Sequence, residues 1–226
     1  MCFPYSRGMK ALFFNCSLKA SPEPSNTDAL IQQAVTEFEK LGVTSEVVRV
    51  VDYNVKPGVE SDEGEGDEWP QLLEKIRACD IFIIGTPIWV GFTCSVTQRV
   101  IERLDAVFYD EKTQDPVTGQ YLFYNKVGGV VVTGNEDGAH NVTARVLWAL
   151  NEFGCTIPPN ASAYWVGKAG PGPSYIEDKG QTYEYTNNLV LMMTHNLASM
   201  AKLLKENPIK TDLKQLEKRA KEMSDG

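Results

Sequence analysis

The sequence is short of positive charge, of histidine and of long apolar runs. Lys and Arg total 22 against 30 Asp and Glu, giving a formal net charge of −8. An acidic surface repels the phosphates of nucleic acid and of anionic lipid, so neither is an expected partner. No apolar stretch approaches the ~20 residues that cross a bilayer, so no membrane span is expected. The opening MCFPYSRG lacks the apolar core of a secretory signal and reads, through Met9, as a peripheral extension (1–9). The five cysteines, at 2, 16, 79, 94 and 155, are odd in number and contain no C-x-x-C pair. That pattern excludes a disulfide framework, a zinc knuckle and a ligated iron–sulfur cluster, and it suits a reducing cytoplasm. Neither G-x-x-x-x-G-K-[ST] nor G-x-G-x-x-G occurs, which removes the Walker loop and the dinucleotide fingerprint. The acidic Glu60–Glu68 run lacks calcium-loop spacing and reads as part of a mobile, solvated surface loop. No metal site is expected.

What remains is ample for a core. The 226 residues are 42% hydrophobic and 10% aromatic, with a mean hydropathy of −0.26. Strand-like and helix-like patterns alternate along them. KALFFN (10–15), SEVVRVVDY (45–53), IFIIG (81–85), KVGGVVVTG (126–134) and the Trp165 end of TIPPNASAYWV (156–166) read as strands. Between them, Leu30/Ala34/Phe38/Leu41, Trp69/Leu72/Leu73/Ile76, Val96/Val100/Leu104/Phe108 and Val142/Val146/Leu150/Phe153 mark helix faces. Leu189/Met193/Leu197/Met200/Leu204 mark a last core helix, with His195 read as structural within it. Residues 109–126 read as an inserted loop with a small hairpin, and 209–226 as a charged helix or tail. The expected fold is α/β: a doubly wound, five-stranded parallel sheet with helices on both faces, spanning residues 10–208. Ligands of such sheets bind beyond the carboxyl ends of the strands, so three loops should converge there.

The first, CSLKASPEPSNT, brings Ser17, Lys19, Ser25, Asn26 and Thr27 to a helix N-terminus. Free N–H groups and the helix dipole favour a phosphate at such a place, although a plain polar cap would use the same residues. The second, TPIWVG (Thr86, Pro87, Ile88, Trp89, Val90, Gly91), makes a rigid turn whose backbone can read the edge of a flat heteroaromatic ring. Trp89 either stacks on that ring or fills core volume beneath the next helix. The third, TGNEDGAHN, offers Thr133, Gly134, Asn135 and Glu136, while Gly138 keeps the surface open. His140 is one of only two histidines; it reads as a proton donor or, with no adjacent carboxylate, as a cap residue. Cys94 opens a helix, where a dipole can activate a thiol, but a buried structural cysteine is the commoner state.

Taken together, NCSLKASPEPSNT, GTPIWVGFTCSVTQRVIERLD and VVTGNEDGAHN, in that order, resemble the flavodoxin-like NAD(P)H-dependent FMN reductase and quinone reductase family. The resemblance implies that Ser17, Asn26 and Thr27 hold the FMN phosphate. It also implies that Pro87 to Val90 run along the isoalloxazine, and that Thr133, Asn135, Glu136 and Gly138 line its other edge. The chain departs from the family in its longer first loop and in the 109–126 insertion. The expected activity is hydride transfer from NADH or NADPH through bound FMN to a quinone-like or other small acceptor, in a homodimer or homotetramer. A flavodoxin-type electron carrier serving protein partners is the alternative, and a flavin-free regulatory domain a third. Trp165 and Tyr164 are further candidates for an aromatic wall beside the substrate.

Overall fold

The computed structural model describes residues 8–170 and 172–224, so all of the expected peripheral extension but Gly8 and Met9 lies outside them. Met9 is no extension: it is fully buried and begins strand β1 (Met9–Asn15). The parallel sheet continues with β2 (Val43–Arg49), β3 (Ile81–Trp89), β5 (Val127–Gly134) and β6 (Ser162–Val166), in the spatial order β2-β1-β3-β5-β6. This is the expected five-stranded, doubly wound sheet. A further two-residue strand, β4 (Phe92–Thr93), pairs antiparallel with the end of β3, a hairpin the sequence reading did not include.

Every residue of β1 except Lys10 is buried, because both faces of the sheet are covered. Successive side chains alternate between the two faces. Leu12 and Phe14 enter one core with α2 (Trp69–Arg77), α3 (Ser95–Leu104) and α4 (Ala139–Glu152). Ala11 and Phe13 enter the other with α1 (Asn26–Lys40) and α5 (Glu184–Glu206). The final helix, α6 (Leu213–Ser224), buries none of its residues. It leans on the insertion: Leu213 N–H donates to Thr118 O at 2.7 Å, and Gln120 Nε2 donates to the carbonyls of Ile209 and Thr211, both at 2.9 Å. The insertion contains the expected hairpin-like pairing, a single bridge between Gln114 and Tyr121.

His195, read as structural on the last helix, has a side chain 46% exposed and 3.5 Å from Glu37. The acidic loop lies on the surface as expected, but it is tied down rather than mobile, because Arg103, fully buried on α3, reaches into it. The guanidinium bonds Asp67 Oδ2 at 2.7 Å, Glu60 O at 2.8 and 3.1 Å and Lys56 O at 2.9 Å, and it packs over the Trp69 ring. Burial pushes the Asp67 carboxyl up, but the Arg103 guanidinium and the N–H groups of Glu63, Trp69 and Lys56 outweigh it and hold the group far below the usual carboxylate range.

Candidate functional site

The carboxyl ends of four strands meet in register: Asn15 beside Gly85, Pro87 beside Thr133, and Thr133 beside Trp165. Helix α1 starts against this edge. Ser25 caps it, its Oγ accepting from Asp28 N–H at 3.1 Å, and Thr27 Oγ1 lies 2.8 Å from Thr133 Oγ1. The first loop is long but fixed. Arg49 donates to the carbonyls of Ala20 and Glu23 at 3.1 and 2.7 Å, and Ser21 donates to the Asp52 carboxylate through its hydroxyl at 2.6 Å and its N–H at 2.8 Å. Those two bonds, hydroxyl first, hold the Asp52 carboxyl below its ordinary range.

The second loop is a tight hairpin. Val90 and Gly91 have φ of 52° and 75°, the left-handed pair of a type I′ turn. Valine is a poor residue for that conformation, and the third loop is what holds it there. Glu136 accepts from Val90 N–H at 3.0 Å and from Gly91 N–H at 3.1 Å, and Asn141 Nδ2 donates to Gly91 O at 2.8 Å. Gly138 (φ 126°) lies so close that a Cβ there would sit 2.6 Å from Gly91 Cα. A fourth segment, residues 167–170 and 172–183, closes the side. Gly170 N–H bonds Asn135 O at 3.0 Å, Asn135 Nδ2 bonds Gly172 O at 2.8 Å, and Tyr175 OH donates to Gln33 on α1 at 2.7 Å.

These pieces enclose a cavity of about 290 Å³, near the lower end of the range for small-molecule sites. Of the sequence-derived candidates, Ser17, Lys19, Ser25, Asn26 and Thr27 line it from the first loop. Pro87, Ile88 and Trp89 line it from the second, and Thr133, Gly134, Asn135 and Glu136 from the third. Trp89 is 53% exposed, so the reading in which it fills the core fails. Two polar atoms on residues of this lining are buried without a hydrogen-bond partner among the described residues, Ser17 Oγ and Trp165 Nε1. Buried polar groups are nearly always satisfied; four further atoms among the described residues, on Ser45, Ser61, Trp69 and Thr143, are unpartnered away from the cavity, so it is the place of these two on the lining that fits a ligand.

Residues 9–169 match the family model described as NADPH-dependent FMN reductase. The chain belongs to that family. The 8-demethyl-8-aminoriboflavin-5′-phosphate synthase of Streptomyces davaonensis is 44% identical over 226 residues, covering 96% of this chain and 86% of its own. A crystal structure of RosB with the bound intermediate 8-demethyl-8-formylriboflavin-5′-phosphate superposes with a TM-score of 0.87 at 40% identity, covering 95% of this chain and 87% of that one. A flavodoxin from the domain Archaea shares the fold alone, at 13% identity and a TM-score of 0.53 over 86% of this chain and 99% of its own.

As a member of a flavin-binding oxidoreductase family, the chain has residues that fit FMN. Hydroxyls and an orphaned donor cluster at the start of α1, where a phosphate is favoured, and an exposed indole stands at Trp89 for a flat ring. Four of the cofactor-binding candidates stand outside the lining. Thr86 is fully buried, its hydroxyl accepting from Thr97 Oγ1 at 2.8 Å, while Val90, Gly91 and Gly138 form the clamp described above. Cys94 is buried, its thiol donating to Cys16 O at 2.8 Å. His140 lies elsewhere: its Nε2 is 3.1 Å from Tyr164 OH, which is 2.9 Å from Tyr185 OH. The Tyr185 hydrogen bond and burial push the Tyr164 phenol up to about 12, and Tyr164 is not on the cavity. Sequence reasoning missed Leu18, Pro24, Ser174 and Tyr175 and gave Trp165 only an aromatic role. The run GKAGPGPS before Tyr175 was legible as a loop, but nothing in it says where the loop docks.

Proposed function

We propose that the cavity holds FMN and that the chain is an NAD(P)H-dependent oxidoreductase serving a small acceptor such as a quinone. The observation that carries this reading is Ser17 Oγ, buried and unpartnered at the base of α1 on a ligand-sized cavity. When bound, FMN supplies the two-electron redox chemistry. The chain's own residues do the rest. The first-turn N–H groups of Asn26 and Thr27, which have no acceptor within the helix, face a phosphate with Ser17 and Ser25 beside them. Ile88 and Trp89 form an apolar wall that excludes water from one side of a ring. Glu136 holds the Val90–Gly91 turn so that this wall is in place before a ligand arrives. No proton step is assigned to Cys94 or His140, whose partners lie away from the lining. The buried free cysteines at 16, 79, 94 and 155 support a reducing cytoplasm. Exposed Val90, Phe92 and Trp148 support a homodimer or homotetramer.

A second reading takes riboflavin 5′-phosphate as substrate rather than as resident cofactor. The relative that is 44% identical over nearly the whole chain favours it, because that protein's name describes a modified flavin phosphate. One experiment separates the readings. FMN is titrated into the purified protein, followed by NADH or NADPH and a quinone, and the flavin is then recovered and weighed by mass spectrometry. Pyridine nucleotide consumption with flavin of unchanged mass supports the oxidoreductase. An altered flavin mass, with suitable co-substrates, supports the second. No FMN binding at micromolar concentration removes both.

A further inference from the structure

The segment 172–183 lies beyond the residues that match the family model, yet it is built into the cavity wall. It packs against Trp165, which is 2% exposed. Tyr175 and Tyr183 meet the indole edge-on, at centroid distances of 5.4 and 6.2 Å and interplanar angles of 83° and 89°. Room for the two inner rings comes from missing side chains. A Cβ on Gly167 would sit 2.6 Å from Trp165 Cη2, and one on Gly180 would sit 2.1 Å from Tyr175 Cδ2. The segment is tied to the start of α1 as well, through Ile176 N–H to Asn26 Oδ1 at 3.0 Å and Tyr175 OH to Gln33 at 2.7 Å. Burial pushes the Tyr175 phenol up to about 12, so it stays a donor at neutral pH.

All this machinery fixes one ring whose N–H has no partner among the described residues. Indole Nε1–H is a donor only, so what satisfies it must be an acceptor. Its place narrows the choice. Trp165 is the register neighbour of Thr133, whose hydroxyl touches Thr27 in the first turn of α1. The other orphan of the lining, Ser17 Oγ, also lies at this junction. Two unsatisfied polar groups beside a helix N-terminus suit an anion better than a neutral ring edge.

We propose that the Trp165 indole N–H donates a hydrogen bond to the 5′-phosphate of the bound flavin, and that the 172–183 segment serves to hold it there. The inference rests on the FMN reading above and makes Trp165 a specificity determinant for phosphorylated over unphosphorylated flavin. Trp165→Phe keeps an aromatic ring for Tyr175 and Tyr183 to pack on and removes the donor together with part of the bicycle, a packing loss that both ligands report equally. FMN and riboflavin are each titrated into wild type and variant, with circular dichroism confirming the fold. The expected result is a dissociation constant for FMN raised about tenfold or more, with that for riboflavin within about twofold. Equal losses for the two ligands, or no loss for FMN, overturn the inference while leaving FMN binding intact. A wild type that binds no FMN overturns both this inference and the functional reading. Should the variant not fold, the wild type suffices. Of its four tryptophan indole N–H signals in a proton–nitrogen correlation spectrum, one should move downfield on saturation with FMN and stay in place with riboflavin. The same spectrum with both ligands overturns the proposal.

Discussion

Replacing Glu136 by alanine removes two charge-assisted bonds from backbone N–H groups that have no other partner in the turn. In a partly exposed setting each contributes about 1 kcal/mol. The turn they hold contains Val90 at φ 52°, a conformation that costs a non-glycine residue about 1–2 kcal/mol. Losing about 2 kcal/mol is a factor of about 30, enough to turn a mostly closed hairpin into a mostly open one. Val90 is 81% exposed, so opening releases little apolar surface and global stability should fall by less than about 1 kcal/mol. FMN affinity should fall about tenfold, because the ligand must then close the turn itself. Glu136→Gln, which keeps one acceptor, should fall between wild type and alanine. Fluorescence titration with FMN, paired with thermal unfolding, reads both quantities. A direct ligand contact by Glu136 predicts the same loss, so a second substitution separates the two causes. Val90→Asn creates the Asn-Gly pair that type I′ turns prefer. It should recover part of the affinity in the Glu136→Ala background. Wild-type FMN affinity in Glu136→Ala, or no recovery in the double variant, refutes the clamp.

Trp89→Ala should weaken FMN or acceptor binding several-fold and leave the melting temperature within about 2 °C, since the side chain is 53% exposed; a melting drop without a binding change would show that the indole serves folding instead. Arg103→Met strands the Asp67 carboxylate, which is fully buried beside it, and should cost about 3–5 kcal/mol by denaturant unfolding. The Asp67 pKa is depressed on folding, so its stabilisation is fully present above the unfolded value of about 4 and drains away as pH falls below it. Stability curves between pH 7 and pH 2 should show that acid slope in wild type and lose it in Asp67→Asn. Gly180→Ala should overpack Tyr175 and destabilise by about 1–3 kcal/mol, detectable in the same unfolding assay.

The sheet was legible because its strands are buried on both faces and its helices carry one apolar stripe each, two signals that are local in sequence. The position of the site followed from topology, and most of the polar residues read from the three loops do line the cavity. What escaped depends on side chains meeting across long separations. Glu136 was read as a ligand contact and does line the cavity, but its two oxygens also serve a turn 45 and 46 residues earlier in the chain, which the reading did not foresee. Nothing in the pattern around Arg103 singled it out, because its place under the acidic loop depends on that loop folding back over it. Trp165 was read for its ring, whereas the informative atom is a nitrogen left unpartnered by everything packed around it.

The contact between α6 and the insertion bears on the order in which the molecule is completed. Thr118 and Gln120 wait for partners at 209–214, about 90 residues further along the chain. A ribosome delivers those partners after every strand of the sheet, at roughly 5–20 residues per second. For several seconds of synthesis the sheet can be whole while the 115–120 tip lacks these partners, so a chain stalled or trimmed before Ile209 should keep its cores and leave that tip, rather than the buried Thr113 and Phe123 on either side of it, open to proteases.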